Sequence, residues 1–252
     1  MEIIQSIFII IFSLILSSFL NVVAIRIPKG ESIVFPASHC VHCKHPLKPH
    51  DLVPVFSYLL LKGRCRYCQT KISPVYLLGE VFTTCVFVFA FYQIGWNQEL
   101  WIAIPLMALL TTITISDLLY KIIPNKVNLF FFVLFALIHV IYRPLPFTDY
   151  LIGVIAGGGL LLLIAIISRG GMGGGDIKLM AVVGLAIGWK LTLLSFFLAS
   201  LIGGIIGVLL LAIKVVKRKE PIPFGPFLAL GIWLSYFYGN ELISAYIKFA
   251  LQ

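Results

Sequence analysis

Acidic residues are scarce in this chain, with ten Asp and Glu among 252 residues, and charged residues of both signs reach only 12%. Against 60% hydrophobic residues and a mean hydropathy of +1.06, that scarcity excludes an ordinary soluble domain. A basic segment ahead of the first apolar run is also missing. The run follows Glu2 directly and exceeds the ~7–15 residues of a secretory signal core, so it reads as a membrane span. No internal repeat and no glycine-rich nucleotide-binding βα unit is visible. Cysteine is nearly absent from the apolar segments, where only Cys85 occurs.

What is present is a series of apolar runs. A bilayer core needs about 20 apolar residues per helix, and eight spans are read at roughly 3–25, 75–94, 100–117, 127–142, 149–167, 177–189, 191–213 and 225–247, the sixth being short. Between the first two spans, Arg26, Lys29, Lys44, Lys48, Lys62, Arg64, Arg66 and Lys71 mark a cytoplasmic segment, which puts the N-terminus outside. Threading eight spans from there adds Lys121, Lys126, Arg169, Lys178, Lys214, Lys217, Arg218 and Lys219 to the same face and leaves Arg143, Lys190 and Lys248 on the other. The net charge of +9 is then a topology signal that also suits anionic lipid headgroups, and nothing in it points to nucleic acid.

The segment 26–74 is too small for a self-sufficient apolar core, and domains of this size need a metal or disulfides. Cys40-Val41-His42-Cys43 and Cys65-Arg66-Tyr67-Cys68 supply two C-x2-C knuckles. Four thiolates at this spacing close a tetrahedral shell and select zinc in a structural role. Two disulfides are the alternative, which a reducing cytoplasm disfavours. His39, His42, His45 and His50 lie close enough to replace a thiolate or to support one from outside the shell. Cys85 reads as a small apolar side chain and His139 as a satisfied helix-packing residue.

The chain therefore reads as an all-α polytopic membrane protein of about eight transmembrane helices with a small zinc-binding cytoplasmic loop domain. Its division is a first helix over 1–25, the loop domain over 26–74 and a membrane-embedded aspartyl protease domain of about seven helices over 75–252.

The protease reading rests on two acids. Asp117 ends an apolar run and Asp176 follows the glycine run that opens the sixth span. Acids at membrane depth are costly and are functional candidates by default, although singly Asp117 suits a helix end in water and Asp176 an N-cap. Topology brings both to the cytoplasmic face, where converging carboxylates share a proton as one coupled unit. The ionised partner then activates water while the protonated one polarises a peptide carbonyl. Gly173-Gly174-Gly175 ahead of Asp176 leaves room for a substrate backbone, or else forms a flexible hinge.

These segments resemble the type IV prepilin peptidases over nearly the whole chain. Ser18-Phe19-Leu20-Asn21-Val22-Val23 with Arg26 and Pro28 resembles the N-terminal signature of that family, and the paired knuckles match its cytoplasmic loop. Ser73-Pro74 with Tyr76 and Glu80, Asp117 with Ile123-Pro124-Asn125, Gly173 to Lys178, and Pro223-Phe224-Gly225-Pro226 resemble four further motifs. The family often carries Asp where this chain has Asn125. The resemblance implies a bifunctional enzyme of the bacterial cell membrane. It would cut a short basic leader from prepilins or pseudopilins at the cytoplasmic face, then methylate the new N-terminus with S-adenosylmethionine, in support of type IV pilus, type II secretion or competence pseudopilus assembly. The lean loops look most like competence-type members of Gram-positive bacteria. Glu80 is a methyltransferase candidate by resemblance alone, and an interfacial or packing carboxylate fits it equally. The knuckles favour this family over a presenilin-type protease, and a proton- or cation-coupled transporter lacks support from any inverted repeat or midplane acid.

Overall fold

The computed structural model describes residues 3–217 and 222–250, so Glu2, Arg218 and Lys219 lie outside the described residues. Eight α-helices occur among them: α1 (Ile3–Arg26), α2 (Phe56–Leu60), α3 (Pro74–Ile94), α4 (Leu100–Tyr120), α5 (Asn125–Ile141), α6 (Phe147–Ile167), α7 (Gly174–Ala212) and α8 (Gly225–Ala250). No β-strand is present among the described residues, only two isolated bridges. Five helices, α1, α3, α4, α6 and α7, are long and apolar enough to cross a membrane, with α5 a shorter apolar helix. The chain is a multi-pass membrane protein.

It divides into two compact units, residues 1–100 and 101–252. In the first, α1 packs on α3 through small and polar side chains, the means by which helices associate where lipid offers no hydrophobic drive. Asn21 is buried on α1 and its amide donates to the Tyr76 carbonyl (2.8 Å). A Cβ at Gly79 would lie 2.5 Å from Asn21 Oδ1, so a larger residue there would displace the Asn21 amide. One turn earlier on α1, Ser17 accepts from the Thr84 hydroxyl (3.2 Å). The helix α3 starts where Ser73 caps it, its Oγ accepting from Val75 N–H, with Pro74 in the first turn.

In the second unit α7 is 39 residues long, about twice what a bilayer requires. It is two arms broken at Gly188, whose φ of 76° belongs to the left-handed region that glycine tolerates. The arms fold back on each other: the same point on α6, Gly157, meets both Met180 of the first arm and Thr192 of the second. The sixth and seventh spans of the sequence reading are these two arms, and the first begins at Gly174, three residues earlier than expected. Gly153 and Gly184 let the backbones of α6 and α7 touch, since a Cβ on either would overlap the other's carbonyl. Gly231 does the same for α8 against Ser195 and Ala199 on the second arm.

The break at Gly188 disturbs the hydrogen bonding of the turn before it, and His139 repairs it. Its Nε2 donates to the Leu185 carbonyl (2.8 Å) while its ring stacks on Tyr150 with centroids 4.0 Å apart. Replacing His139 with Leu leaves that buried carbonyl without its donor. The expected loss is about 1–3 kcal/mol, read as a lowered unfolding midpoint in detergent; an unchanged midpoint would show that the bond carries no weight.

Candidate active site and metal centre

Asp117 sits one turn inside α4, which runs on to Tyr120, and is not the terminal residue that the apolar run suggested. Asp176 occupies the first turn of α7, whose N-cap is Gly173 and not the aspartate itself. Both acids are buried, with exposures of 6% and 9%, and they lie within electrostatic reach of each other. Each is held against backbone from which a side chain is missing. The Gly225 N–H, at the start of α8, donates to Asp117 Oδ2 (2.8 Å), and a Cβ at that glycine would crowd the same oxygen at 2.8 Å. At Gly173 a Cβ would lie 2.6 Å from Asp176 Oδ2. Gly175 lies against Ile123, whose Cβ would be 2.7 Å from an added methyl.

Neighbouring polar groups tie the three segments together. The Ser116 hydroxyl donates to the Ile122 carbonyl (2.7 Å), closing the turn that leads from α4 to Ile123-Pro124. Lys121, one turn beyond Asp117, is a cation within electrostatic reach of it. Lys178 Nζ donates to Asn125 Oδ1 (2.8 Å), and Asn128 Nδ2 donates to the Gly175 carbonyl (3.3 Å). The resemblance had offered Gly225 as part of a motif without a role, and Asn128 was not singled out at all. A polar side chain at the head of the apolar run Leu129 to Ile141, three residues from Asn125, was the available signal.

In the first unit the four predicted cysteines meet. The sulfurs of Cys40, Cys43, Cys65 and Cys68 all lie within 4.8 Å of one another. Cys40 and Cys68 sulfurs are 3.8 Å apart, and every cysteine is free. A tetrahedron with metal–sulfur bonds of about 2.3 Å has edges of about 3.8 Å, so this spacing suits a shared ion and is far beyond a disulfide bond. Charge points the same way. The Thr70 hydroxyl and N–H draw the Cys68 thiol down to about 6. The His45 N–H favours the Cys43 thiolate, yet lost solvation and the sulfurs of Cys68 and Cys40 outweigh it and push Cys43 up to about 11. Four sulfurs this close cannot all ionise without a cation among them.

The two knuckles are built alike. Cys40 N–H donates to His45 O and Lys44 N–H to Cys40 O; twenty-five residues on, Cys65 N–H donates to Thr70 O and Gln69 N–H to Cys65 O. Lys44 and Gln69 occupy matching positive-φ positions (58° and 59°). This local repeat is invisible in the residues, which share little beyond the cysteines. Between the knuckles, Asp51 receives Arg66 Nε (2.6 Å) and the Tyr67 hydroxyl (3.2 Å), and His45 stacks on Tyr67 (centroids 3.7 Å). Loss of solvent disfavours the Asp51 carboxylate, but Arg66, the Lys48 N–H and Tyr67 outweigh it and hold its pKa below the ordinary value. The four histidines stand outside the sulfur set.

Glu80 lies on α3 and accepts the Val55 N–H at Oε2 (2.8 Å). Val55 precedes α2 at a φ of 62°, an uncommon conformation for a β-branched residue. The carboxylate thus fastens the loop to α3, and the Ser18 side chain on α1 is a second hydrogen-bond partner for it.

The chain matches the family model described as Bacterial Peptidase A24 N-terminal domain over residues 11–94 and that of the Type IV leader peptidase family over residues 104–208. It is 39% identical to a prepilin leader peptidase/N-methyltransferase of Bacillus subtilis (strain 168), across 96% of this chain and 97% of the relative. Enzymes of the same name from Aeromonas salmonicida (strain A449) and Pseudomonas aeruginosa are 30% and 29% identical, the former across 94% of this chain and 92% of the relative, the latter across 96% and 93%. No solved structure matches the chain. Matched along nearly its whole length by such relatives, the chain belongs to the type IV leader peptidase family.

Proposed function

We propose that this chain is a prepilin leader peptidase and N-methyltransferase whose catalytic groups are Asp117 and Asp176. The observation that supports this most directly is the pair of buried carboxylates within electrostatic reach, one on α4 and one on α7. With one proton between them, the ionised carboxylate activates water and the protonated one polarises the scissile carbonyl. The Gly225 N–H occupies Asp117 Oδ2 and so leaves Oδ1 as the oxygen for water or the shared proton.

The functional division follows the sequence: 1–25 as the first span, 26–74 as a cytoplasmic domain built on one structural zinc at Cys40, Cys43, Cys65 and Cys68, and 75–252 as the membrane-embedded protease. Basic residues between the first two spans support a cytoplasmic loop and an external N-terminus. Prepilins or pseudopilins are the substrates, cut where an apolar helix meets its leader at the cytoplasmic surface. S-adenosylmethionine is the methyl donor, with Glu80 a candidate contributor.

The test is a cleavage assay with the purified full chain in detergent and a pseudopilin carrying its leader, read by mass spectrometry of the product N-terminus. The expected product has lost the leader and, with S-adenosylmethionine present, gains about 14 Da of methyl group. Absence of cleavage together with proton or cation flux in liposomes would favour the transporter reading.

A further inference from the structure

We infer that the first turn of α5 is a clamp that sets the position of Asp176, with Asn128 as its positioning residue and Asn125 as its second contact. Asn125 and Asn128 are three residues apart and share one helix face. Both reach the start of α7, on either side of the acid in sequence. Asn125 Oδ1 takes the Lys178 ammonium at 2.8 Å, and Asn128 Nδ2 donates to the carbonyl of Gly175 at 3.3 Å.

The Asn128 contact falls on the peptide unit that carries Asp176. Its N–H end donates to the Gly173 carbonyl (3.1 Å) and its carbonyl end receives Asn128, so the plane is held from both sides. Rotating that plane would swing the carboxylate. Gly175 cannot supply the restraint itself, because Ile123 leaves no room for a side chain there. The three residues Ile123, Asn125 and Asn128 thus act together on a turn made of glycines, which would otherwise be the least restrained backbone near the site.

Asn128 is 3% exposed, and its Oδ1 has no hydrogen-bond partner among the described residues. A buried amide left half-satisfied contributes little as packing, since an apolar side chain of the same branching has no polar atom to strand. Its presence is accounted for if the Nδ2 bond is needed for geometry and the orphan oxygen takes a donor during the reaction, either the shared proton's carrier or a substrate N–H.

This inference rests on the dyad reading, and the experiment separates the two. Full-chain Asn128→Leu, Asn128→Asp and Asp176→Asn are compared in the leader-cleavage assay, with unfolding midpoints measured alongside. Asn128→Leu should lower kcat by roughly 10- to 100-fold with KM within about twofold, as expected when a reacting group is displaced by about 1 Å. Asn128→Asp keeps the shape but sets a third carboxylate beside the dyad, so the acidic limb of the kcat/KM profile should move to higher pH. The clamp is overturned by a folded Asn128→Leu whose kcat stays within about twofold of the parent. Where Asn128→Leu fails to fold, an unmoved acidic limb in Asn128→Asp overturns it equally. Should Asp176→Asn keep its turnover, the dyad reading falls instead; a dead Asp176→Asn beside a fully active Asn128→Leu removes only the clamp.

Discussion

Asp117→Asn and Asp176→Asn should each abolish leader cleavage while leaving the protein folded. General acid–base assistance is worth 10²- to 10⁴-fold, and in a shared-proton pair one substitution removes both roles, because neither carboxylate works without its partner. The expected fall is at least about 10³-fold for each, with the double variant no worse than either single one. Folding should survive for a local reason. The amide oxygen introduced at position 117 can still accept the Gly225 N–H, which is the bond that seats α8 against α4, and Asp176 is flanked by a glycine backbone that imposes no steric demand on its replacement. Near-parental turnover in either variant would make that acid structural and leave the buried pair without a catalytic role.

Much of this site could be read from residues, and what could not shares one cause. Apolar runs mark the helices because lipid demands them, and paired knuckles mark a metal because the ligands are close in sequence. The cysteines converge, and the aspartates lie in one compact unit within electrostatic reach. Interactions across long separations leave no such local trace. Gly225 is 108 residues from Asp117, and only its place in a motif, not its hydrogen bond, was visible beforehand. Asn128 reaches Gly175 across 47 residues. Helix ends were also blurred, since Asp117 interrupts an apolar run without ending the helix, whose hydrogen bonds continue through Lys121 N–H to the Asp117 carbonyl (2.8 Å). At Asp176 capping logic pointed to the wrong residue by three positions, because Gly173 supplies the cap through backbone conformation and no side chain. The fastening of Glu80 to Val55 was hidden too, for nothing in a Val-Pro-Val sequence announces a strained turn.

Removing the metal should unfold the loop between α1 and α3 while sparing α1 and α3 themselves, and the expected effect is large because the loop has no other core. Across residues 27–73 only Cys40, Asp51, Gly63 and Cys65 are buried. Two are sulfur ligands, one a glycine and one a carboxylate, so no aliphatic side chain is sequestered there. A structural tetrathiolate zinc contributes on the order of 10–16 kcal/mol, which is then the folding energy of this segment. The purified chain should carry one zinc. A strong chelator, or Cys65→Ser, should expose 27–73 to limited proteolysis with little loss of helical signal, because α1 and α3 hold each other through Asn21, Ser17 and Gly79. Asp51→Asn should do less, loosening the second knuckle and speeding metal release, since it weakens the Arg66 contact but leaves all four sulfurs. Acid separates these contributions. Asp51 is held below its ordinary pKa, so its stabilisation is complete above about pH 3.9 and is lost only as pH falls through its lower folded value. Metal release at pH 5–6 would therefore not report protonation of Asp51. A loop that stays protease-resistant with no metal bound would overturn the tetrathiolate assignment.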